Sequence, residues 1–393
     1  LMHSLTYNVL AALAPLGLLP FIRKRFSGCW LLVDRDFKAD DNAEHLCRWI
    51  LRHHPEQKIF FALNKNSPDW ERLKSEKFPL LDLQSLCYSF AWLHCVWIIS
   101  SNRTGYIIRP FWRRWFAALV KNRFCFLQHG VTKDLHLVLN FTRADILITA
   151  AHREYNAFVD DPRYVYTERE VRLTGFPRYD ELLRKVAAIA TPRKILIMPT
   201  WRKNLMSELL PRTGQYPYSS RFRQSEFFRQ WQAVLQAPDL QECAKRHGYQ
   251  LVFFPHPYLR QQLGDFTLSG VLQPPDAGGS IQDILADTAL LITDYSSIAM
   301  DFALLRRPIL YFQFDRDTFF STDHSYTKGY FDYDTDGFGD VALTHEQLFN
   351  IASEYLKNDC KMKEEYRRRV DKFFAFSDQN NCKRVYEAIC AES

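Results

Sequence analysis

The chain has 393 residues, long for a single hydrophobic core, so two domains are the starting expectation. Its 47% hydrophobic and 24% charged content excludes a disordered protein, and nine scattered cysteines without C-x-x-C or paired Cys/His spacing indicate neither a zinc site nor a disulfide framework. The net charge of +6 suits an anionic substrate or an anionic membrane surface and is too small to argue for nucleic acid.

Residues 1–26 are apolar and then basic. Pro15, Gly17 and Pro20 break the run, which is short of the ~20 continuous apolar residues of a spanning helix. Arg23, Lys24 and Arg25 come last, whereas a signal peptide puts its basic residues first. Two readings stay open: an interfacial anchor on an anionic membrane, or a helix packed on the core. Leu1 in place of a start Met fits a chain trimmed or excised from something longer.

From Trp30 the pattern is β/α. Strands are predicted at Trp30–Val33, Lys58–Leu63, Trp97–Ser100, Phe124–Leu127, Ala144–Thr149 and Val171–Gly175, with helices at Asp40–His53 and Trp70–Lys77. Such alternation means a parallel sheet covered by helices. Gly105–Arg123 sets Arg109, Arg113, Arg114, Lys121 and Arg123 among aromatic residues, which reads as a membrane- or polymer-facing surface or as a solvated helix face. The strand at Phe124 runs into Gln128-His129-Gly130, and the carboxyl end of a parallel strand is where open α/β sheets bind ligands. A histidine there is a candidate acid/base group, with a merely structural histidine as the alternative.

Gly175-Phe176-Pro177-Arg178 reads as the crossing into a second β/α series. That series has strands at Lys194–Met198, Gln250–Phe254, Leu290–Thr293 and Ile309–Phe312, and a helix over Phe227–His247. The first two strands run into Pro199-Thr200-Trp201-Arg202 and Pro255-His256-Pro257. The third runs into Asp294-Tyr295-Ser296-Ser297, N-cap chemistry for a short helix over Ile298–Leu305, and a helix start after a buried strand is an anion site. Polar residues 204–225 predict a surface loop, and 319–333 a loop able to close over a ligand. Helices are predicted at Leu348–Leu356, Met362–Phe374 and Asn381–Ala391.

The run TDYSS-x3-DF-x4-RPILYF resembles the signature of the CDP-glycerol glycerophosphotransferase family, the teichoic-acid-type primases and polymerases, capsule polymerases included. Gln128-His129-Gly130 resembles the family's His-Gly motif, Gly175 to Asp180 its G-x-P-R-x-D, Pro199 to Arg202 its P-T-W-R, His256-Pro257 its H-P, and Lys328 to Phe331 its K-G-Y-F. The motifs follow the family's order from about residue 30 to the C-terminus. The resemblance implies an α/β fold of two Rossmann-like domains, GT-B-like, with the site in the interdomain cleft. The expected division is a 1–28 membrane-surface segment, a 29–176 acceptor domain and a 177–393 nucleotide-donor domain with the terminal helices.

The implied reaction is attack of an acceptor hydroxyl on the glycerol-side phosphorus of CDP-glycerol, releasing CMP. In that reading His129 and His256 are catalytic, Thr200, Arg202, Asp294, Ser296, Ser297 and Asp301 serve the donor phosphates, and Gly130 and Arg178 support them. The carboxylates Asp294 and Asp301 leave a divalent cation such as Mg²⁺ open, without a clean metal motif. Implied partners are CDP-glycerol, a polyol-phosphate or glycan acceptor and an anionic membrane surface, at the inner face of a bacterial membrane. Many members have Trp where this chain has Gln128, and Val131-Thr132-Lys133 also departs from the family; these residues are expected to face the acceptor. Rival readings are the same transfer from CDP-ribitol, a nucleotide-sugar glycosyltransferase on the same fold, and a polymer-binding scaffold.

Overall fold

The computed structural model describes residues 19–103, 120–206, 216–273, 280–323 and 327–392. Most of the expected N-terminal anchor, and the Gly105–Arg123 surface as far as residue 119, lie outside these residues. So do parts of the two predicted loops at 204–225 and 319–333.

Two compact units form. The first holds the described residues up to Val131, Leu137–Glu181 and the chain from Ala375 onward; the second holds Thr132–His136 and Leu182–Phe374. In the first unit lie β1 (Trp30–Val33), β2 (Ile59–Leu63), β3 (Leu80–Asp82), β4 (Trp97–Ser100), β5 (Arg123–Phe126), β6 (Ile146–Thr149) and β7 (Val171–Leu173). They pair in parallel in the order β3-β2-β1-β4-β5-β6-β7. In the second unit lie β8 (Lys194–Ile197), β9 (Gln250–Phe253), β10 (Thr288–Thr293), β11 (Ile309–Phe312) and β12 (Gly339–Ala342). They too are parallel, in the order β12-β11-β10-β8-β9.

Every residue of β1, β4 and β10 is buried, which is why these strands read as continuous apolar runs rather than alternating ones. Chain order reverses between β1 and β4 in the first sheet and between β8 and β10 in the second. At such a reversal the flanking connections leave for opposite faces of the sheet, opening a crevice at the strands' carboxyl ends.

Two expectations are corrected. The helix predicted over Phe227–His247 is two helices, Glu226–Leu235 and Pro238–Arg246, because Pro238 has no N–H to continue the first and starts the second. The terminal helix Asn381–Cys390 belongs to the first unit, not to the second. Asp180 explains why: its carboxylate accepts from the Asn381 and Cys382 backbone N–H groups, both at 2.9 Å, and from Asn381 Nδ2 at 2.7 Å. It caps a helix two hundred residues away. Gly175 sits beneath that cap in the left-handed region (φ 78°), and a Cβ there would lie 1.8 Å from Asn381 Oδ1. Tyr386 then packs at a tilt against Trp49 and Trp30 of the first unit, with ring centroids 5.6 and 5.4 Å away. The G-x-P-R-x-D motif is thus a clasp for the chain's end.

Replacing Asp180 with Ala leaves three N–H donors without their acceptor and is expected to cost about 1–3 kcal/mol of stability. Urea denaturation checks this, and an unchanged midpoint contradicts the clasp.

Candidate active site

In the first unit the β1–β4 reversal gathers a polar network. Asp34, just past β1, accepts from the backbone N–H of Asp41 (3.2 Å), Ala43 (2.9 Å) and Glu44 (3.1 Å) and from Ser101 Oγ (2.5 Å), just past β4. These bonds seat the helix Asn42–His53 with its amino end over the crevice. Asp41 is that helix's N-cap and accepts from Asn42 N–H at 2.9 Å. Asp41 also accepts from Arg178 Nη1 at 3.1 Å and binds His129 Nδ1 through its second oxygen.

His129 comes from the loop after β5, the next strand along. Its Nε2 faces Arg35 Nη2 at 3.2 Å. A guanidinium only donates, so Nε2 carries the lone pair and the proton sits on Nδ1, toward Asp41. The imidazole is 65% exposed while the Asp41 side chain is 8% exposed: a buried carboxylate orients an open base. Burial alone would raise the pKa of Asp41, but His129, Arg178 and Arg35 outweigh it and hold the carboxyl at about 2.

The loop's left-handed turn is taken by Gln128 (φ 57°), ahead of Gly130. The Gln128 side chain points inward, with Nε2 donating to Ile148 O at 2.6 Å and Glu154 Oε1 at 3.1 Å. Val131 is buried, and Lys133 is buried against Asp134 at 2.5 Å. The expectation that this stretch faces the acceptor is therefore corrected for these three residues. They make internal contacts and do not report on acceptor identity.

In the second unit the β8–β10 reversal is organised by buried charge. Asp294 follows β10 and accepts from Thr200 N–H (2.9 Å) and Tyr295 N–H (2.7 Å), and its other oxygen meets Arg202 Nη2 at 2.9 Å. Arg202 also donates to Asp315 Oδ2 (2.7 Å) and to Thr200 O (2.7 Å), between the rings of Phe319, Phe227 and Tyr295. Its side chain is 2% exposed. Burial would lower the guanidinium's pKa; Asp294 and Asp315 reverse that and raise it.

The groups open to a ligand differ from the full set predicted. Ser297 is exposed at the start of the helix Ile298–Ala303, and Ser296 Oγ accepts from Ile298 N–H at 3.4 Å. Thr200 Oγ1 is buried with no hydrogen-bond partner among the described residues. Asp301 is buried, and among the described residues no three His, Cys, Asp or Glu side chains gather as metal ligands.

His256 follows β9. Its Nδ1 accepts from Tyr258 N–H at 3.2 Å, so its proton sits on Nε2, and the rings of Tyr258 and Trp201 flank it at 4.8 and 6.2 Å. The two histidines therefore hold opposite tautomers: His129 offers a lone pair at Nε2, His256 an N–H. Sequence reasoning missed Asp34, Arg35, Asp41 and Asp315. Only Asp41 left a signal, as one of two aspartates, Asp40 and Asp41, at the start of the predicted helix that could cap it.

Two parallel, doubly wound sheets, each carrying polar groups at its strand-order reversal, define a GT-B-like α/β protein. The chain belongs to the CDP-glycerol:poly(glycerophosphate) glycerophosphotransferase family, which it matches over residues 23–391. It is 36% identical over 365 residues to the minor teichoic acid biosynthesis protein GgaB of Bacillus subtilis, covering 92% of this chain and 39% of that protein. It is 21% identical over 375 residues to the teichoic acid poly(glycerol phosphate) polymerase of the same organism, covering 88% and 46%. The chain thus spans less than half the length of these relatives. A structure of the wall teichoic acid polymerase TagF matches the fold with a TM-score of 0.69 at 16% identity, over 98% of this chain and 94% of that one.

Two predictions follow from the geometry. Arg202→Ala leaves Asp294 and Asp315 buried and unpaired, so its main effect is a loss of about 3–5 kcal/mol in stability. Arg202→Lys restores the charge but not the fork and recovers only part of it. Denaturation midpoints of the two variants check the order.

The second concerns acid. The folded pKa of Asp41 is about 2, below the ~3.9 of an unfolded Asp, so its stabilisation is complete above that higher value and is lost as pH falls through the lower one. Asn also caps helices, so Asp41→Asn is expected to fold and to show a shallower loss of stability between pH 4 and 2, read by urea titrations across that range.

Proposed function

We propose that this chain transfers glycerol phosphate from CDP-glycerol to an acceptor hydroxyl, releasing CMP, in the synthesis of a teichoic-acid-like or capsular cell-surface polymer. The observation that carries the reading is the pair of opposite histidine tautomers at the strand ends of the two sheets, in a chain of this family. Phosphoryl transfer to an alcohol needs one group that takes a proton and others that donate to phosphate oxygens.

In this account the acceptor O–H gives its proton to His129 Nε2 as its oxygen bonds to the glycerol-side phosphorus. The bond from that phosphorus to the bridging oxygen breaks, and CMP leaves with the electron pair. Asp41 holds the ring in the accepting tautomer and compensates the imidazolium that forms. Arg35 must yield Nε2 to the alcohol, which leaves its guanidinium beside the incoming phosphate. On the donor side His256 Nε2–H and Ser297 donate to phosphate oxygens, while Arg202, Asp294 and Asp315 fix the turns after β8 and β10.

We further propose that the chain works at an anionic membrane surface, a reading that the described N-terminal residues support. The helix Pro20–Phe26 carries Arg23, Lys24 and Arg25, and Phe21 beside them is 70% exposed. No helix among the described residues is long and apolar enough to cross a membrane.

Incubation with CDP-glycerol, CDP-ribitol and nucleotide sugars, read by CMP or nucleoside diphosphate release, tests the assignment. CMP is expected from CDP-glycerol. CMP from CDP-ribitol alone moves the donor to the ribitol series, and nucleoside diphosphate release from a nucleotide sugar replaces the reading with glycosyl transfer. His129→Ala and His256→Ala should each lower turnover, by about 10²-fold or more for the base. Only His256→Ala should also weaken CMP binding in calorimetry; the reverse pattern exchanges the two roles.

A further inference from the structure

The second unit has a cavity of about 370 Å³ that the proposed reaction does not use. Arg193, Tyr249, Ala289, Arg307, Asp359 and Cys360 line it. Arg193 and Tyr249 immediately precede β8 and β9, Ala289 is the second residue of β10, and Arg307 lies just before β11. The cavity therefore opens at the amino ends of the strands, the opposite end of this sheet from Thr200, His256 and Asp294.

Its charges are unusual. Among the described residues neither Arg193 nor Arg307 has a carboxylate partner. Arg307 Nη1 donates to Ala286 O and Thr288 O, both at 2.6 Å, and to Leu285 O at 3.4 Å, closing the end of the helix Ile281–Ala286. These neutral acceptors hold the side chain in place without neutralising it. The nearby Asp287 is committed to Lys194 at 2.7 Å, and burial pushes the Arg307 guanidinium down despite Asp287. The Arg193 guanidinium lies 5.1 Å from the Tyr249 ring centroid, held by its face. Arg307 is a half-buried cation without a carboxylate partner, which is costly, and an anion offsets that cost; Arg193 is exposed and brings a second positive charge to the cavity's edge.

Asp359 narrows the choice of anion. It is the cavity's one carboxylate, fixed on a left-handed backbone (φ 52°), and accepts no hydrogen bond from the described residues. A bare phosphate between the arginines meets its repulsion. A phosphate ester carrying hydroxyl groups gives the arginines their anion and Asp359 its donors. We infer that this cavity is a binding site for a polyol phosphate, in which Arg193 and Arg307 take the phosphate and Asp359 takes a hydroxyl. The anion site stands on the geometry alone; glycerol as the polyol rests on the function proposed above.

The test is calorimetry on the full chain with glycerol 3-phosphate, glycerophosphoglycerol, inorganic phosphate and glycerol, repeated on Arg193→Gln, Asp359→Asn and the Ser296→Ala/Ser297→Ala double variant. The glycerol phosphates should bind, inorganic phosphate more weakly and glycerol not at all. Arg193→Gln should weaken glycerol 3-phosphate by about tenfold, since one charge-assisted contact is lost. Asp359→Asn should fold, because Asn tolerates this backbone, and should lose the preference over inorganic phosphate. The double serine variant should bind as the parent does. Tighter binding of the diester points to the polymer as the source, and tighter binding of the monoester to the free metabolite. The inference is overturned by an absence of binding, by equal affinity for inorganic phosphate, by affinity unchanged in Arg193→Gln, or by affinity lost in the double serine variant. CMP titrated in parallel reports on the donor site, so failure of the function and failure of this site give different patterns.

Discussion

The carboxylate of Asp41 is the contact on which the first unit's chemistry depends. One side chain caps the helix Asn42–His53, fixes the tautomer of His129 and holds Arg178. Arg178 lies two residues before Asp180, which clasps the terminal helix. A buried carboxylate is tolerated there because donors from three elements converge on it, and the same donors keep it ionised. The placement of His129 and the closure of the unit are linked through Asp41, Arg178 and Asp180. One oxygen of Asp41 caps the helix while the other holds His129.

The second unit solves a similar problem with reversed charge. Arg202 is the buried centre, and Asp294 and Asp315 are its partners. Buried ion pairs of this kind contribute little net stability against an apolar core, but breaking one is severe. Their use here is positional: they fix the turn after β8 relative to the turn after β10, so that Thr200, Ser296 and Ser297 sit on a fixed frame. The P-T-W-R and T-D-Y-S-S motifs are two halves of that one frame.

Much of the architecture was legible because strands buried on both faces leave unbroken apolar runs, as in β1, β4 and β10. The short β3 and β12 left no such trace; Gly339-Asp340-Val341-Ala342 has neither the length nor the pattern of a strand. The terminal helix was assigned to the wrong unit because its cap, Asp180, is remote in sequence. Arg202 was read as a phosphate ligand because an arginine at a strand end looks like one. Only its burial between two aspartates, one of them 113 residues away, shows its structural part. Asp40 and Asp41 were both visible as possible N-caps, but nothing local says that the second oxygen of Asp41 reaches a histidine 88 residues on.

The account turns on the opposite protonation of two imidazoles, and ¹⁵N-detected NMR of the histidine rings, at a pH where both are neutral, measures it directly. The structure predicts that His129 carries its proton on Nδ1 and His256 on Nε2, and that Asp41→Asn disturbs only the first. Finding the proton of His129 on Nε2 would contradict its role as the acceptor's base.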